Sequence, residues 1–304
     1  MQAELTLPLP AEGRSYDKLL GFGALAVTLL IWAAFFLSLR AGAKAHLAPE
    51  ELALVRFGPA GLVFLPVLIS RWHRIAAVPL PTLLSIFAGA GLPYFLIAGL
   101  GMRHAPVADG STLIPGTLPL FISLFGVLFY RQAVSRGRLL ALALIMVGVV
   151  GLVFLRPNEQ HLGQGYVLFL LGSAMWSNFT LALRRSGLSA VEGAAVISST
   201  SLIGLLAWML FHPPMGLMQM SASGLMFHGV VQGLGVGLAS TLCYAYAISK
   251  LGPERAATAG ALTPVLATLM AVPLFGEVPG IVSVMAMLLI VAGVVLANRP
   301  TASR

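Results

Sequence analysis

Ten apolar stretches, each close to twenty residues long and nearly free of charge, recur along this chain at about 20–39, 51–70, 82–102, 110–130, 139–155, 164–183, 191–211, 223–248, 256–275 and 281–298. About twenty helical residues, rising about 1.5 Å each, cross the ~30 Å hydrocarbon layer of a bilayer. In that layer every backbone N–H and C=O needs a partner, which a helix supplies from within itself. Only 9% of the 304 residues are charged and 58% are hydrophobic. A soluble domain carries about 25% charged residues and has no interior large enough for this much apolar surface. The expected fold class is therefore an all-α polytopic membrane protein with ten transmembrane helices.

The joints between stretches carry Pro, Gly or charge, as in Arg71 to Arg74, Arg156-Pro157-Asn158-Glu159 and His212-Pro213-Pro214. Most are short, so consecutive helices should be antiparallel neighbours. The first run, Gly21 to Leu39, exceeds the h-region of a secretory signal, and Glu4, Glu12 and Asp17 precede it. It reads as a retained first helix, although Ala41-Gly42-Ala43 resembles a cleavage site. The net charge of +8 includes no cluster of four or more Lys/Arg, so no nucleic-acid partner is expected. Cationic loops explain the charge better. With the N-terminus in the cytoplasm, inside segments hold thirteen Lys/Arg (Arg14, Lys18, Arg71, Arg74, Arg131, Arg136, Arg138, Arg184, Arg185, Lys250, Arg255, Arg299 and Arg304). Outside loops hold four, Arg40, Lys44, Arg103 and Arg156, and Arg56 falls within a span. The positive-inside rule then places both termini in the cytoplasm of a multi-pass inner-membrane protein.

The chain also repeats itself. Residues 119–150 shifted by 145 fall on 264–295 without a gap, with nine identities: Pro119/Pro264, Leu124/Leu269, Val127/Val272, Ala141/Ala286, Leu144/Leu289, Ile145/Ile290, Gly148/Gly293, Val149/Val294 and Val150/Val295. Residues 21–40 shifted by 144 match at Gly21/Gly165, Trp32/Trp176, Phe35/Phe179, Leu37/Leu181, Leu39/Leu183 and Arg40/Arg184. Tryptophan occurs only four times, so the Trp pair weighs most. Each half holds five helices. An odd number forces the second half to cross the bilayer in the opposite sense, giving two inverted five-helix repeats. The expected boundaries are a cytoplasmic N-terminal segment at 1–19, a first repeat at 20–156, a second at 164–298 and a cytoplasmic tail at 299–304. Inverted halves of one shape can exchange conformations and open a shared cavity to one side, then the other.

Trp32-x-x-Phe35 and Trp176-x-x-Phe179, Arg56-Phe57, the Pro119 and Pro264 segments, Phe275-Gly276-Glu277 and Ile290 to Val295 together resemble the EamA-type drug/metabolite transporter superfamily, in its ten-helix branch. The resemblance spans about 20–298. It implies small organic solutes, often exported, and a cavity built by helices 1–4 and 6–9. The first half has Arg131-Gln132 where the second has Gly276-Glu277, which leaves a shared acidic role at these loops open.

Polar residues inside spans carry the chemistry, because an unsatisfied polar group in hydrocarbon is costly. Arg56 is an intramembrane cation suited to an anionic group on a solute. Its alternatives are snorkelling to the headgroups and pairing with Glu51. Trp32 and Trp176 are candidate cavity faces, packing residues or interfacial anchors, and their mid-span position argues against anchoring. Tyr94, Asn178, Gln232 and Tyr244 complete the candidate solute-binding set; Asn178 and Gln232 must face protein or water. Pro93, Pro119 and Pro264 interrupt the hydrogen-bond ladder inside spans and are candidate hinge or gating positions. Asp109, Glu192, Glu254 and Glu277 sit at helix ends, where capping or headgroup contact accounts for them. No catalytic residue, metal site or cofactor is expected. The six His have no ligand spacing, and Gly233-Leu234-Gly235-Val236-Gly237 lies within a span with no strand before it. Cys243 stands alone and packs as a small hydrophobe. The expected function is a secondary transporter, moving a small organic metabolite such as an amino acid or a drug-like solute. Its partners are that solute, the lipid bilayer and, as a candidate assembly, a homodimer. A scaffold or accessory subunit is the alternative, ahead of a lipid-acting enzyme.

Overall fold

The computed structural model describes residues 11–131, 133–155 and 162–298. Among the described residues ten apolar helical segments follow in order. They are α1 (Ala11–Lys44), α2 (Pro49–Ser70), α3 (Leu80–Ala90 and Leu92–His104), α4 (Val107–Gly116 and Leu118–Tyr130) and α5 (Arg136–Phe154). The second half contributes α6 (Leu162–Ser186), α7 (Ala190–Met209), α8 (Ala222–Leu251), α9 (Pro253–Gly260 and Thr263–Phe275) and α10 (Ile281–Ala297). Nine are long and apolar enough to cross a membrane, and α10 is a shorter apolar helix of 17 residues. No strand occurs among the described residues. Helix α1 begins at Ala11, so part of the expected 1–19 segment is already helical; residues 1–10 and the 299–304 tail lie outside the described residues.

Three of the long segments break midway. In α3 the break falls at Gly91, where a Cβ would lie 2.4 Å from the Phe87 carbonyl oxygen and 2.9 Å from Ser201 Oγ, so only glycine fits. Ser201 Oγ accepts the freed Leu92 N–H at 2.9 Å. Pro93, Pro119 and Pro264 all stand in the first turn after a break, where the missing proline N–H has no intrahelical partner to lose. The prolines thus mark the starts of half-helices rather than kinks within continuous ones. In α8 the middle, Gly229–Ala239, winds as a π-helix. Gly91 and Gly237, 146 positions apart, put both irregularities at the same place in the repeat.

The packing reproduces the repeat. Across the halves, α1 packs on α8, α6 on α3, α2 on α7, α4 on α9 and α5 on α10. Exchanging the halves turns the first pair into the second and each of the others into itself, as a pseudo-two-fold axis demands. The α5–α10 contact also gives the direction of the chains. A Cβ on Gly148 would meet Ile290 Cγ1 at 2.6 Å and the Ala286 oxygen at 2.9 Å, while one on Gly293 would meet Ile145 Cγ1 at 2.6 Å and the Ala141 oxygen at 2.8 Å. Advancing along α5 from Ala141 to Gly148 therefore retreats along α10 from Gly293 to Ala286. Corresponding helices run antiparallel, and the repeats are inverted.

Candidate solute-binding site

The buried core of the bundle gathers aromatic side chains from both halves. Phe35, Phe57 and Phe95 meet edge to face, with centroids 6.1 Å and 5.7 Å from Phe95. Arg56 lies seven residues into α2, about 10 Å along the helix at 1.5 Å per residue. Its guanidinium carbon sits 5.5 Å from the Phe57 ring centroid, and α3, which carries Tyr94, packs against α2. Nη1 of Arg56 is buried without a hydrogen-bond partner, and no carboxylate pairs with this cation among the described residues. Glu51, the sequence alternative for a partner, is occupied: it accepts the Ala48 N–H at 3.1 Å and the Gly216 N–H at 2.6 Å.

From Arg56 the site continues through aromatic contacts. Tyr94 packs on Trp176 of α6 at 4.9 Å between centroids, and Trp32 of α1 packs on Tyr244 of α8 at the same distance. Each Trp of the repeat thus rests on a Tyr from the helix that the two-fold assigns to it. Both Trp are half-buried, which fits helix interiors better than headgroup anchors.

Gln232 is fully buried in the π segment of α8; its Nε2 donates to the Phe35 carbonyl at 3.4 Å and its Oε1 has no partner. Glycines bring this segment against α2. A Cβ at Gly233 would lie 3.0 Å from the Val55 oxygen, and one at Gly237 3.3 Å from the Arg56 oxygen. Pro59 takes the place of the N–H that would bond the Val55 carbonyl in a regular helix. The Val55 carbonyl therefore lacks its regular-helix donor where Gly233, the neighbour of Gln232, approaches it.

Two further buried hydroxyls share the lack of a partner. Ser173 Oγ on α6 and Thr263 Oγ1, where α9 restarts, are buried and unpartnered. Ser173 lies one turn before Trp176 on the same helix face, the spacing that could have found it. Each unsatisfied buried group costs about 1–3 kcal/mol, so native proteins keep few without a reason.

Asn178 is exposed and stands apart from the buried polar set. Two other expectations change. Asp109 is no headgroup contact: it is buried, accepting from Tyr166 Oη at 2.8 Å and from Ser283 Oγ at 2.9 Å. Glu277 joins elements of both halves, accepting from Arg40 Nε at 2.6 Å and from the Val107 N–H at 3.0 Å. Tertiary packing decides these partners, and spacing along one helix does not reveal them. Among the described residues no group of three or more His, Cys, Asp or Glu could hold a metal ion.

The EamA-like transporter family matches this sequence over residues 19–154 and again over 163–299. A relative described as the uncharacterized inner membrane transporter YedA of Escherichia coli strain K12 is 28% identical over 285 residues, covering 90% of this chain and 89% of the relative. The uncharacterized transporter YdfC of Bacillus subtilis strain 168 is 25% identical over 271 residues, covering 87% and 86%. A solved crystal structure with a TM-score of 0.58 and 23% identity, covering 93% of this chain and 98% of that one, shares the fold.

Proposed function

The chain belongs to the EamA-like transporter family, and from that premise we propose that it is an inner-membrane permease exporting a small organic solute by alternating access. The solute carries an anionic group, such as the carboxylate of an amino acid, on a partly apolar body. The observation that supports this reading is Arg56, a half-buried cation whose Nη1 is buried with no hydrogen-bond partner and which has no acidic partner among the described residues. A cation in a water-poor site favours a ligand that brings the opposite charge. The planar guanidinium matches a carboxylate with two parallel hydrogen bonds. Tyr94, Trp176, Trp32 and Tyr244 offer faces for the apolar part. Gln232 Oε1 and the Val55 carbonyl offer acceptors for donors on the solute.

The half-helix starts at Pro93, Pro119 and Pro264 fit hinge positions in such a cycle. The Lys/Arg distribution supports an orientation with Arg184 and Arg185 in the cytoplasm, Arg40 and Glu277 outside, and both termini inside. The test is flux of labelled solutes from liposomes containing the purified protein, after a thermal-shift screen of anionic, zwitterionic and cationic metabolites. Stabilisation by anionic or zwitterionic solutes, followed by their flux, is expected. Stabilisation by cations alone refutes the charge assignment. Absence of flux for every stabilising solute favours an accessory subunit.

A further inference from the structure

The frame of this molecule is two-fold symmetric, but the bonds that close its two ends are not. At the outer end, Glu277 Oε1 accepts from Arg40 Nε at 2.6 Å and lies 3.5 Å from Lys44 Nζ, while Oε2 accepts the Val107 N–H at 3.0 Å. Arg40 Nη1 also donates to the Met102 carbonyl at 2.6 Å. One carboxylate of the second half thereby holds the end of α1 and the start of α4, both of the first. Arg40 and Glu277 are only 18% and 13% exposed, so the bonds are largely shielded from water. Nearby, buried Ser38 and His228 share a hydrogen bond of 2.7 Å between α1 and α8.

The repeat shows what stands at the inner end. A shift of 144 lays Arg40 on Arg184 and Ser38 on Ala182, a shift of 145 lays Glu277 on Gln132, and a shift of 146 lays His228 on Thr82 and Gln232 on Ile86. The acid has become a neutral amide and the serine an alanine. Val107 falls on Gly252 or Pro253; the Gly252 N–H is already bonded to the Ile248 carbonyl at 2.9 Å, and proline has none. Arg184 is exposed, and Ala182 and Ile86 pack with Leu68, Ile75, Ala195 and Val196 in an apolar cluster. Ion pairs do cross between the halves here, Arg74 to Glu192 at 3.4 Å and Lys250 to Asp17 at 2.9 Å. Arg74 is 59% exposed and Asp17 53% exposed, and pairs so exposed hold weakly.

We propose that Glu277 is the catch of a polar outer gate, opposed by an apolar inner gate, so that the two access states are held shut by different chemistry. The outer gate stays closed through charge-assisted bonds that entering water competes for. The inner gate stays closed because opening it wets apolar side chains. Removing one charge at Glu277 therefore unlocks one end only. This inference rests on the transporter reading for its purpose, but its test needs no solute.

The sole cysteine is removed (Cys243→Ser) and a reporter is placed either at Ala108, buried beside Val107, or at Ala182 in the inner cluster. Labelling by a thiol reagent is followed on purified full-length protein. Glu277→Gln should raise labelling of Ala108→Cys by roughly tenfold, within the range typical of coupled equilibria. It should leave labelling of Ala182→Cys unchanged or lower. Arg40→Gln, which removes the partner charge and leaves the Val107 N–H on Glu277, should raise labelling at position 108 as well, and it decides the matter if Glu277→Gln alone does not fold. Unchanged labelling at 108, a rise at both reporters together, or a folded Arg40→Gln that stays protected overturns the catch. Normal gating without flux of any solute would sink the solute reading alone, and normal flux with ungated labelling would sink the catch alone.

Discussion

Replacing Arg56 by methionine should separate stability from transport, moving them in opposite directions. Methionine fills much of the arginine stem volume and brings no charge. The buried Nη1 without a partner costs the folded protein about 1–3 kcal/mol. Against this stands the guanidinium over the Phe57 ring at 5.5 Å, an interaction of about 0.5–1 kcal/mol. The balance is a gain on the order of 0–2.5 kcal/mol on substitution, in line with buried charges that apolar residues of similar volume can replace. Binding should change the other way. A charge-assisted hydrogen bond to a carboxylate contributes about 1.5–3 kcal/mol, so its loss weakens solute affinity by roughly 10- to 150-fold. Arg56→Lys keeps the charge without the planar fork and should fall between. The assay pairs thermal unfolding in detergent with solute titration of the same samples. An Arg56→Met protein that melts earlier and binds solute normally would show a structural cation and refute the reasoning.

Other substitutions probe the repeat and the orientation. Trp32→Ala and Trp176→Ala should each weaken solute binding in equilibrium titration, with Phe tolerated better at both positions because stacking area largely survives; loss at only one position would break their equivalence. Gly148→Ala and Gly293→Ala should each destabilise the fold by about 1–3 kcal/mol, because the new Cβ falls 2.6 Å from an isoleucine carbon and under 3 Å from a backbone oxygen. Thermal unfolding measures this, and neutrality at either glycine contradicts the reciprocal contact. Reporter fusions after Arg138 or Arg185 should signal cytoplasm, and fusions near Lys44 or Asn158 the outside; the reverse at two sites would invert the assignment.

The membrane segments were legible because hydrocarbon imposes one length and one composition on every span. The repeat was legible because Trp, Pro and Gly are scarce or conformationally constrained enough to mark register. Arg56 stood out because a cation is rare at that depth. What escaped the sequence has a common cause: partners contributed by distant elements. Asp109 reads as a helix-start acid until Tyr166 and Ser283 are found on it. His228 reads as one scattered histidine until Ser38 is found 2.7 Å away. The exposure of Asn178 could not be read in advance, because a membrane helix is apolar on nearly every face and periodicity gives little guide to which face is buried. The break at Gly91 follows from a close approach of Phe87 and Ser201 that neighbouring residues alone do not announce.

The reciprocal Gly148 and Gly293 contact has a consequence for how such a chain can diversify. Two separate five-helix proteins meeting as an antiparallel pair would form this same self-matching interface, and any change in one would appear in its twin. Joined in one polypeptide, each half mutates alone. An acid can then appear at position 277 while its counterpart at 132 is an amide, and a serine at 38 while 182 is an alanine. Covalent fusion releases the molecule from obligatory likeness at its two mouths while α5 and α10 preserve the common axis. A device that works between two unequal compartments gains from that freedom, since the face each compartment meets can be altered without touching the other.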